Sequence, residues 1–253
     1  MPTNVLIAIP SKGRADDLCT MNWLKLSRFD VCIFVEPQEE EAYAAHHPET
    51  LKFILPENDQ GLGYAKVQIQ KYAREFGYSY IFKMDDDITG FYGRGKRPDA
   101  EVLAKQFDDM LEEVISTLVV MPDIVAIGFP YRWELYEVKK WVNINGRLQT
   151  AYLCETEHFY SDERISVFED FHTYLKIRAN NLSTLRYGAL GIGCKPVGAN
   201  PGGHQMFNRG QKALAEVELL REVHPALEFK QVEGKDWTIE PKIRGPFFNI
   251  KGL

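Results

Sequence analysis

Residues 80–88 read YIFKMDDDI, and this stretch decides how the chain is organised. Tyr80, Ile81 and Phe82 are aromatic or β-branched, the composition of a buried strand. The run stops at Asp85, Asp86 and Asp87. Adjacent carboxylates repel one another, and a packed interior offers nothing to neutralise them. They therefore belong at the open end of the strand, where a hard cation and its waters would offset the charge. Magnesium and manganese take oxygen ligands of this kind. Alternation along an extended segment turns Asp85 and Asp87 to one side and Asp86 to the other, an Asp-x-Asp pair at the edge of a sheet. A solvated acidic turn capping a following helix is the competing reading.

Upstream, residues 4–10 (NVLIAIP) are a continuous apolar run, as in a strand buried on both faces, and Ser11-Lys12-Gly13-Arg14 follows before an amphipathic helical stretch to Leu26. In doubly wound sheets the loop after the first strand is a ligand site, and Lys12 and Arg14 suit a phosphate or nucleotide there; a solvated basic turn reads equally well. Residues 30–35 and 51–55 are further strands, the first ending at Glu36, with a short acidic helix over 38–45 between them. The segment PENDQGLG (56–63) leads into a helix with Lys66 in its first turn. Glycines ahead of a helix let backbone approach an anion, although this is neither a Walker loop nor a G-x-G-x-x-G fingerprint. Repeated strand–helix alternation predicts an α/β fold with a mostly parallel central sheet flanked by helices.

Downstream, Arg94, Lys96 and Arg97 lie among glycines, either as a mobile surface loop or as a phosphate-backbone contact. A long helix over 99–121 and a strand over 124–130 follow, and Asn145-Gly146 between residues 138–144 and 147–153 signals an added β-hairpin. Glu169 and Asp170 open a helix whose apolar face is Phe171, Tyr174, Leu175 and Ile177. They are either first-turn acids favoured by the helix dipole or include a carboxylate poised as a general base. A strand over 185–192 runs into GCKPVGANPGGHQ (193–205), a Gly/Pro-rich lid loop with His204 near its end, and a helix over 208–223 follows.

The chain of 253 residues is long enough for a substantial core and contains no linker, so one domain is expected, with a nucleotide-binding half to about residue 130 and an acceptor and catalytic half beyond it. No apolar run is long enough for a membrane span, the start does not read as a signal peptide, and four cysteines show neither metal spacing nor a paired framework; a reducing cytoplasm and no membrane partner are expected. A net charge of −6 argues against a protein that coats nucleic acid non-specifically, while leaving room for a local basic patch.

Taken together, PSKGR after the first strand, the Glu after the second, the Asn-Asp-Gln-Gly segment, MDDD, FED and a loop-borne His resemble the GT-A fold (Rossmann-type) glycosyltransferases. The IPSKGR and KMDDDI blocks look, more narrowly, like the TET/JBP-associated glycosyltransferases of bacteriophages, a family implicated in adding sugar to 5-hydroxymethylcytosine in DNA. The resemblance implies a UDP-sugar donor, a Mn2+ or Mg2+ ion, and hydroxymethylated DNA as acceptor, in a host cytoplasm. It implies that Pro10, Ser11, Lys12, Arg14 and Glu36 surround the nucleoside, and that Asn58, Asp59, Gly61 and Lys66 complete the pocket. Asp85 and Asp87 would bind the metal with His204, Asp86 would lie near the ribose or donor sugar, and Asp170, with Glu169 beside it, would be the base of an inverting reaction. The Gln-x-x-Arg-Trp segment frequent in such enzymes is missing, which leaves the acceptor-side residues open. A glycan, protein or small-molecule acceptor, or a nucleotidyltransferase, is the alternative.

Overall fold

The structure is a computed structural model that describes residues 4–136, 141–195, 206–225, 228–231 and 239–242. The first half is β1 (Val5–Pro10), α1 (Met21–Leu24), β2 (Asp30–Val35), α2 (Glu40–His46), β3 (Leu51–Ile54), α3 (Leu62–Glu75) and β4 (Tyr80–Met84). β5 (Ile88–Tyr92), α4 (Ala100–Val120), β6 (Ile124–Gly128), β7 (Val142–Ile144), β8 (Ala151–Glu155), α5 (Glu169–Ala179) and β9 (Ser183–Tyr187) follow. β10 (Gly191–Cys194), α6 (Met206–Val223), β11 (Glu228–Gln231) and β12 (Ile239–Lys242) complete the described elements.

Eight strands form one sheet in the order β3-β2-β1-β4-β8-β6-β9-β7, so segments from before and after residue 130 share it. β3, β2, β1 and β4 are parallel, as are β6 and β9; β8 runs antiparallel between β4 and β6, and β7 antiparallel at the edge. The fold is α/β, with helices on both faces of the sheet. β1 explains why: Val5, Ile7 and Ile9 pack with Trp23, Phe107 and Leu111 on one face, and Leu6 and Ala8 pack with Ile69, Tyr72 and Tyr174 on the other. An apolar side chain at every position of a strand can be buried only if both faces are covered, at about 1.5–3 kcal/mol for each large one.

Three sequence expectations change. The helix expected up to Leu26 shrinks to the four residues of α1, because the preceding chain is tied to the acidic turn instead. Thr20 donates its backbone N–H to the Asp86 carbonyl (3.3 Å) and its hydroxyl to the Asp85 carbonyl (2.9 Å), and its Oγ1 accepts from the Ile88 N–H (2.9 Å). Asn145 does adopt the left-handed conformation (φ 61°), but its flanking strands do not pair with each other: β7 pairs with β9, and β8 with β4 and β6, so no hairpin forms there among the described residues. The apolar run 185–192 divides into β9 and β10, and β10 leaves the main sheet to pair antiparallel with β5.

Candidate active site

The alternation of β4 sets the site. Ile81 belongs to the core beneath α3 and α5, Phe82 and Met84 to the core beneath α1 and α4, so Lys83 and Asp85 follow Ile81 toward α5. The chain turns at Asp86-Asp87 and enters β5, so no helix follows for the acidic residues to cap. Asp86 is buried, while Asp85 and Asp87 are half-buried. The buried carboxylate is held by the loop after β1: Ser11 Oγ donates to Asp86 Oδ2 (2.5 Å), and the Arg14 guanidinium pairs with Oδ1. Burial pushes the Asp86 carboxyl up despite Arg14 and Ser11. Asp87 has one cation within 4 Å among the described residues, Arg14 NH1 at 3.8 Å. Burial, then the charges of Asp85 and Asp86, push Asp87 up to about 6.

The expected nucleoside-side residues gather next to this turn. Lys12 Nζ bonds Glu36 Oε1 (2.9 Å) and pairs with exposed Asp59. Asn58 Oδ1 accepts from the Gln38 N–H (3.1 Å), and Gln38 Nε2 donates to Glu36 Oε2 (2.7 Å). Ser11 Oγ also bonds the hydroxyl of buried Tyr43 (2.7 Å), a residue the sequence did not single out. Ser11, Lys12, Arg14, Glu36, Asn58, Asp59 and Asp86 thus form one polar surface at the C-terminal ends of β1 and β2, with Pro10 closing β1.

Gly61 and Lys66 do something else. The Gly63 N–H meets Ser166 Oγ (3.3 Å), and a Cβ on Gly63 would fall 2.3 Å from the Ile165 carbonyl and 2.5 Å from that of Asp162; one on Gly61 would fall 2.7 Å from Ser166 Oγ. These glycines let the start of α3 close onto the 162–166 loop, so the N-terminus of α3 is covered rather than open to an anion. Gly63→Ala should therefore cost about 1–3 kcal/mol of stability in denaturant unfolding, the range for overpacking. A neutral effect would mean that the loop yields easily.

Lys66 is fully buried and turned away from the nucleoside surface. Its Nζ donates to Glu169 Oε2 (2.6 Å), the Glu169 carbonyl (3.0 Å) and Thr173 Oγ1 (2.7 Å). From the opposite side Lys83, also fully buried, donates to Glu169 Oε1 (2.9 Å) and Asp85 Oδ1 (2.6 Å). Burial would raise the Glu169 carboxyl, but Lys66 and Lys83 outweigh it and hold Glu169 well below the usual range. Both of its oxygens are taken. Glu169 is thus ion-paired through both oxygens, unlike the free carboxylate expected of a base, and Lys66 is bonded to it rather than turned to the nucleoside surface.

Asp170 is the opposite case. It is half-buried, and its Oδ1 accepts from the Phe171 N–H (2.6 Å). Burial, then the neighbouring Glu169 charge, push it up to about 6. The segment leading into α5 is held by buried Glu216 of α6, whose oxygens accept from the N–H groups of Ser166 (2.9 Å), Val167 (2.7 Å) and Phe168 (3.1 Å). Neither Lys83 nor Glu216 is among the site residues expected from the sequence. For Lys83 a signal existed: a lysine inside an apolar strand, two residues before an aspartate, must share its face.

Asp85 and Asp87 supply hard carboxylate oxygens, and the carboxyl of Asp87 is poorly compensated, so this donor pair suits a divalent ion. Among the described residues no group of three His, Cys, Asp or Glu side chains forms a cage; the remaining ligand positions would fall to water and phosphate oxygens. His204 and most of the lid loop lie outside the described residues.

Beside the site, Tyr131 and Trp133 stack at 6.2 Å, and Tyr131 bonds Thr150 Oγ1 (2.7 Å). Arg94 donates to the Leu135 carbonyl (2.6 Å) and lies over exposed Trp141 (5.6 Å), while Arg132 donates to the Gly95 carbonyl (2.6 Å) and covers Tyr92 (4.8 Å), as Arg97 does (5.5 Å). The basic loop is thus pinned to an aromatic surface at one edge of the site.

A polar surface at the ends of β1 and β2, a carboxylate pair at the end of β4 and a further carboxyl at the head of α5 make up the candidate site. The model of the TET-associated glycosyltransferase family matches residues 5–203, and the chain belongs to that family: it is a glycosyltransferase. No curated protein matches the sequence. Among solved structures, a CMP:2-keto-3-deoxy-manno-octonic acid synthetase complexed with CTP is similar at TM-score 0.49 and 10% identity, over 85% of this chain and 99% of that one. A cytidylyltransferase from Leptospira borgpetersenii gives TM-score 0.43 and 11% identity over 72% and 74% of the two chains. A UDP-glucose pyrophosphorylase complexed with UDP-glucose gives 0.41 and 10% over 72% and 89%. At these scores the likeness says nothing about the reaction. No described helix is long and apolar enough to cross a membrane.

Proposed function

We propose that this glycosyltransferase moves a sugar from a UDP-sugar to the hydroxymethyl group of 5-hydroxymethylcytosine in DNA, with inversion, using Asp170 as base. The observation that carries the reading is that one side chain, Lys83, touches both Asp85 of the acidic turn and Glu169, the residue next to Asp170. The donor half and the acceptor half are therefore adjacent. Ser11, Lys12, Arg14 and Glu36 orient the nucleoside, with Asn58, Asp59 and Asp86 alongside. Asp85 and Asp87 would hold Mn2+ or Mg2+, which, when bound, offsets the negative charge that grows on the departing diphosphate. Asp170 takes the proton of the acceptor hydroxyl as its oxygen forms the bond to the anomeric carbon. Titration calorimetry with a panel of UDP-sugars, with and without manganese, tests the donor side. Metal-dependent binding of at least one is expected; no binding of any would contradict the reading.

The acceptor side rests on the pinned basic and aromatic edge. Arg94, Lys96 and Arg97 are exposed and offer cations to phosphates in a chain of net charge −6. Trp133 presents a largely exposed ring (62%) stacked on Tyr131, available to a base turned out of the duplex. Lys242 lies in β12 without a described side chain, and Arg244 lies outside the described residues. Neutralising Arg94, Lys96 and Arg97 together should weaken DNA binding and lower the log–log salt slope by about 0.9 per lost contact, with donor affinity unchanged. An unchanged slope would place the DNA elsewhere.

A further inference from the structure

The chain of contacts Lys66–Glu169–Lys83–Asp85 alternates two buried ammonium groups with two carboxylates, and its last link opens onto the site. A buried ammonium is costly unless it is paired, and Lys83 is fully buried with its pairing divided between two elements. On one side is Asp85, at the end of β4; on the other is Glu169, the first residue of α5. Lys66 takes the remaining Glu169 oxygen and also the Glu169 carbonyl, so the head of α5 is gripped through backbone and side chain at once. Asp170 is the next residue along that gripped turn.

We propose that Lys83 is a positioning residue that fixes where Asp170 stands relative to the Asp85/Asp87 pair by holding Asp85 and Glu169 together. The proposal rests on the reading of Asp170 as base, and it adds a residue that touches neither donor nor acceptor. The chemistry asks for this device. The acceptor oxygen must meet the anomeric carbon as the bond to the diphosphate breaks beside the cation that Asp85 and Asp87 would hold, while its proton leaves toward Asp170. A displacement of about 1 Å between those groups is enough to cost about a hundredfold in rate. The two carboxylates sit on separate elements, and among the described residues Lys83 is the one side chain bonded to both Asp85 and Glu169. The short donation to each leaves it little freedom.

Lys83→Met keeps the length and removes the charge. It should lower transfer by about tenfold to a hundredfold while leaving UDP-sugar affinity within about threefold, a loss in kcat rather than KM. Hydrogen exchange at residues 169–173 should rise, with α4 unchanged. Added to Asp170→Asn, Lys83→Met should cost less than about twofold more, because both act through the same group. Multiplying losses, unaltered exchange at 169–173, or near-normal transfer by Lys83→Met would each overturn the proposal. Should Lys83→Met fail to fold, Lys83→Gln, which is shorter and uncharged but keeps a polar end for the buried carboxylates, is measured in the same way. The same losses are then expected, and the same three results would overturn the proposal. A wild-type protein that transfers to no acceptor would instead remove the reading of Asp170 as base. The exchange arm then still decides whether Lys83 tethers α5.

Discussion

Asp170→Asn is expected to bind the UDP-sugar as tightly as the wild type and to transfer the sugar roughly two to four orders of magnitude more slowly, the range for loss of a general base. Of the two acids at the head of α5, Glu169 has both oxygens bonded to buried lysines, whereas Asp170 is half-buried and its carboxyl is pushed up to about 6 by burial and then by Glu169. The active form is the ionised one, so wild-type transfer should rise with pH through about 6, where burial and Glu169 have pushed this carboxyl, and level off above it. Stability follows the opposite sense. A carboxyl raised from 3.8 to about 6 on folding favours the fold below its unfolded value and loses that contribution as pH climbs through 6. At neutrality asparagine removes an unfavourable ionisation, so the loss of rate should come with an unreduced melting temperature. Near-normal turnover by Asp170→Asn would return Asp170 to the role of a first-turn acid.

Asp87→Asn should fail earlier, at donor binding. Asp86 is committed to Ser11 and Arg14, and Asp85 shares an oxygen with Lys83, so Asp87 is the least committed carboxylate of the turn. Removing one of two anionic ligands should weaken manganese-dependent UDP-sugar binding by at least roughly a hundredfold, the upper end of what even outer-shell changes cost a metal site. The fold should not suffer, because the substitution relieves repulsion from Asp85 and Asp86. Calorimetry with manganese present decides it: an unchanged nucleotide-sugar affinity would show that Asp87 binds no metal.

Much of the fold was legible because its signals are local. NVLIAIP and DVCIFV are apolar at nearly every position, the pattern of strands covered on both faces. The helix over 99–121 was legible for the same reason: Asp99 caps it by accepting from the Val102 N–H at 2.9 Å. The helix expected before Leu26 misled, because Thr20 spends its hydrogen bonds on Asp85, Asp86 and Ile88, partners more than sixty residues away. Asn145-Gly146 misled differently: Asn145 takes a left-handed φ of 61°, but strand pairing is settled by β8 inserting between β4 and β6. In the site, side-chain types and chain order marked Asp85–Asp87 and Asp170. The different surroundings of Glu169 and Asp170 were not legible, since they depend on two lysines, from α3 and β4, reaching the same carboxylate. Gly61 and Gly63 look the same in sequence whether they admit a phosphate or a neighbouring loop.

Transfer itself is the most direct test. The wild-type protein is incubated with UDP-sugars and manganese on duplex DNA containing 5-hydroxymethylcytosine and on the same duplex with cytosine, and the digested nucleosides are weighed by mass spectrometry. A hexosylated 5-hydroxymethylcytosine is expected with at least one donor, dependent on the metal and missing from the plain duplex. Transfer to glycans or small alcohols as efficient as to hydroxymethylated DNA, or no nucleoside product with any UDP-sugar, would contradict the proposed function.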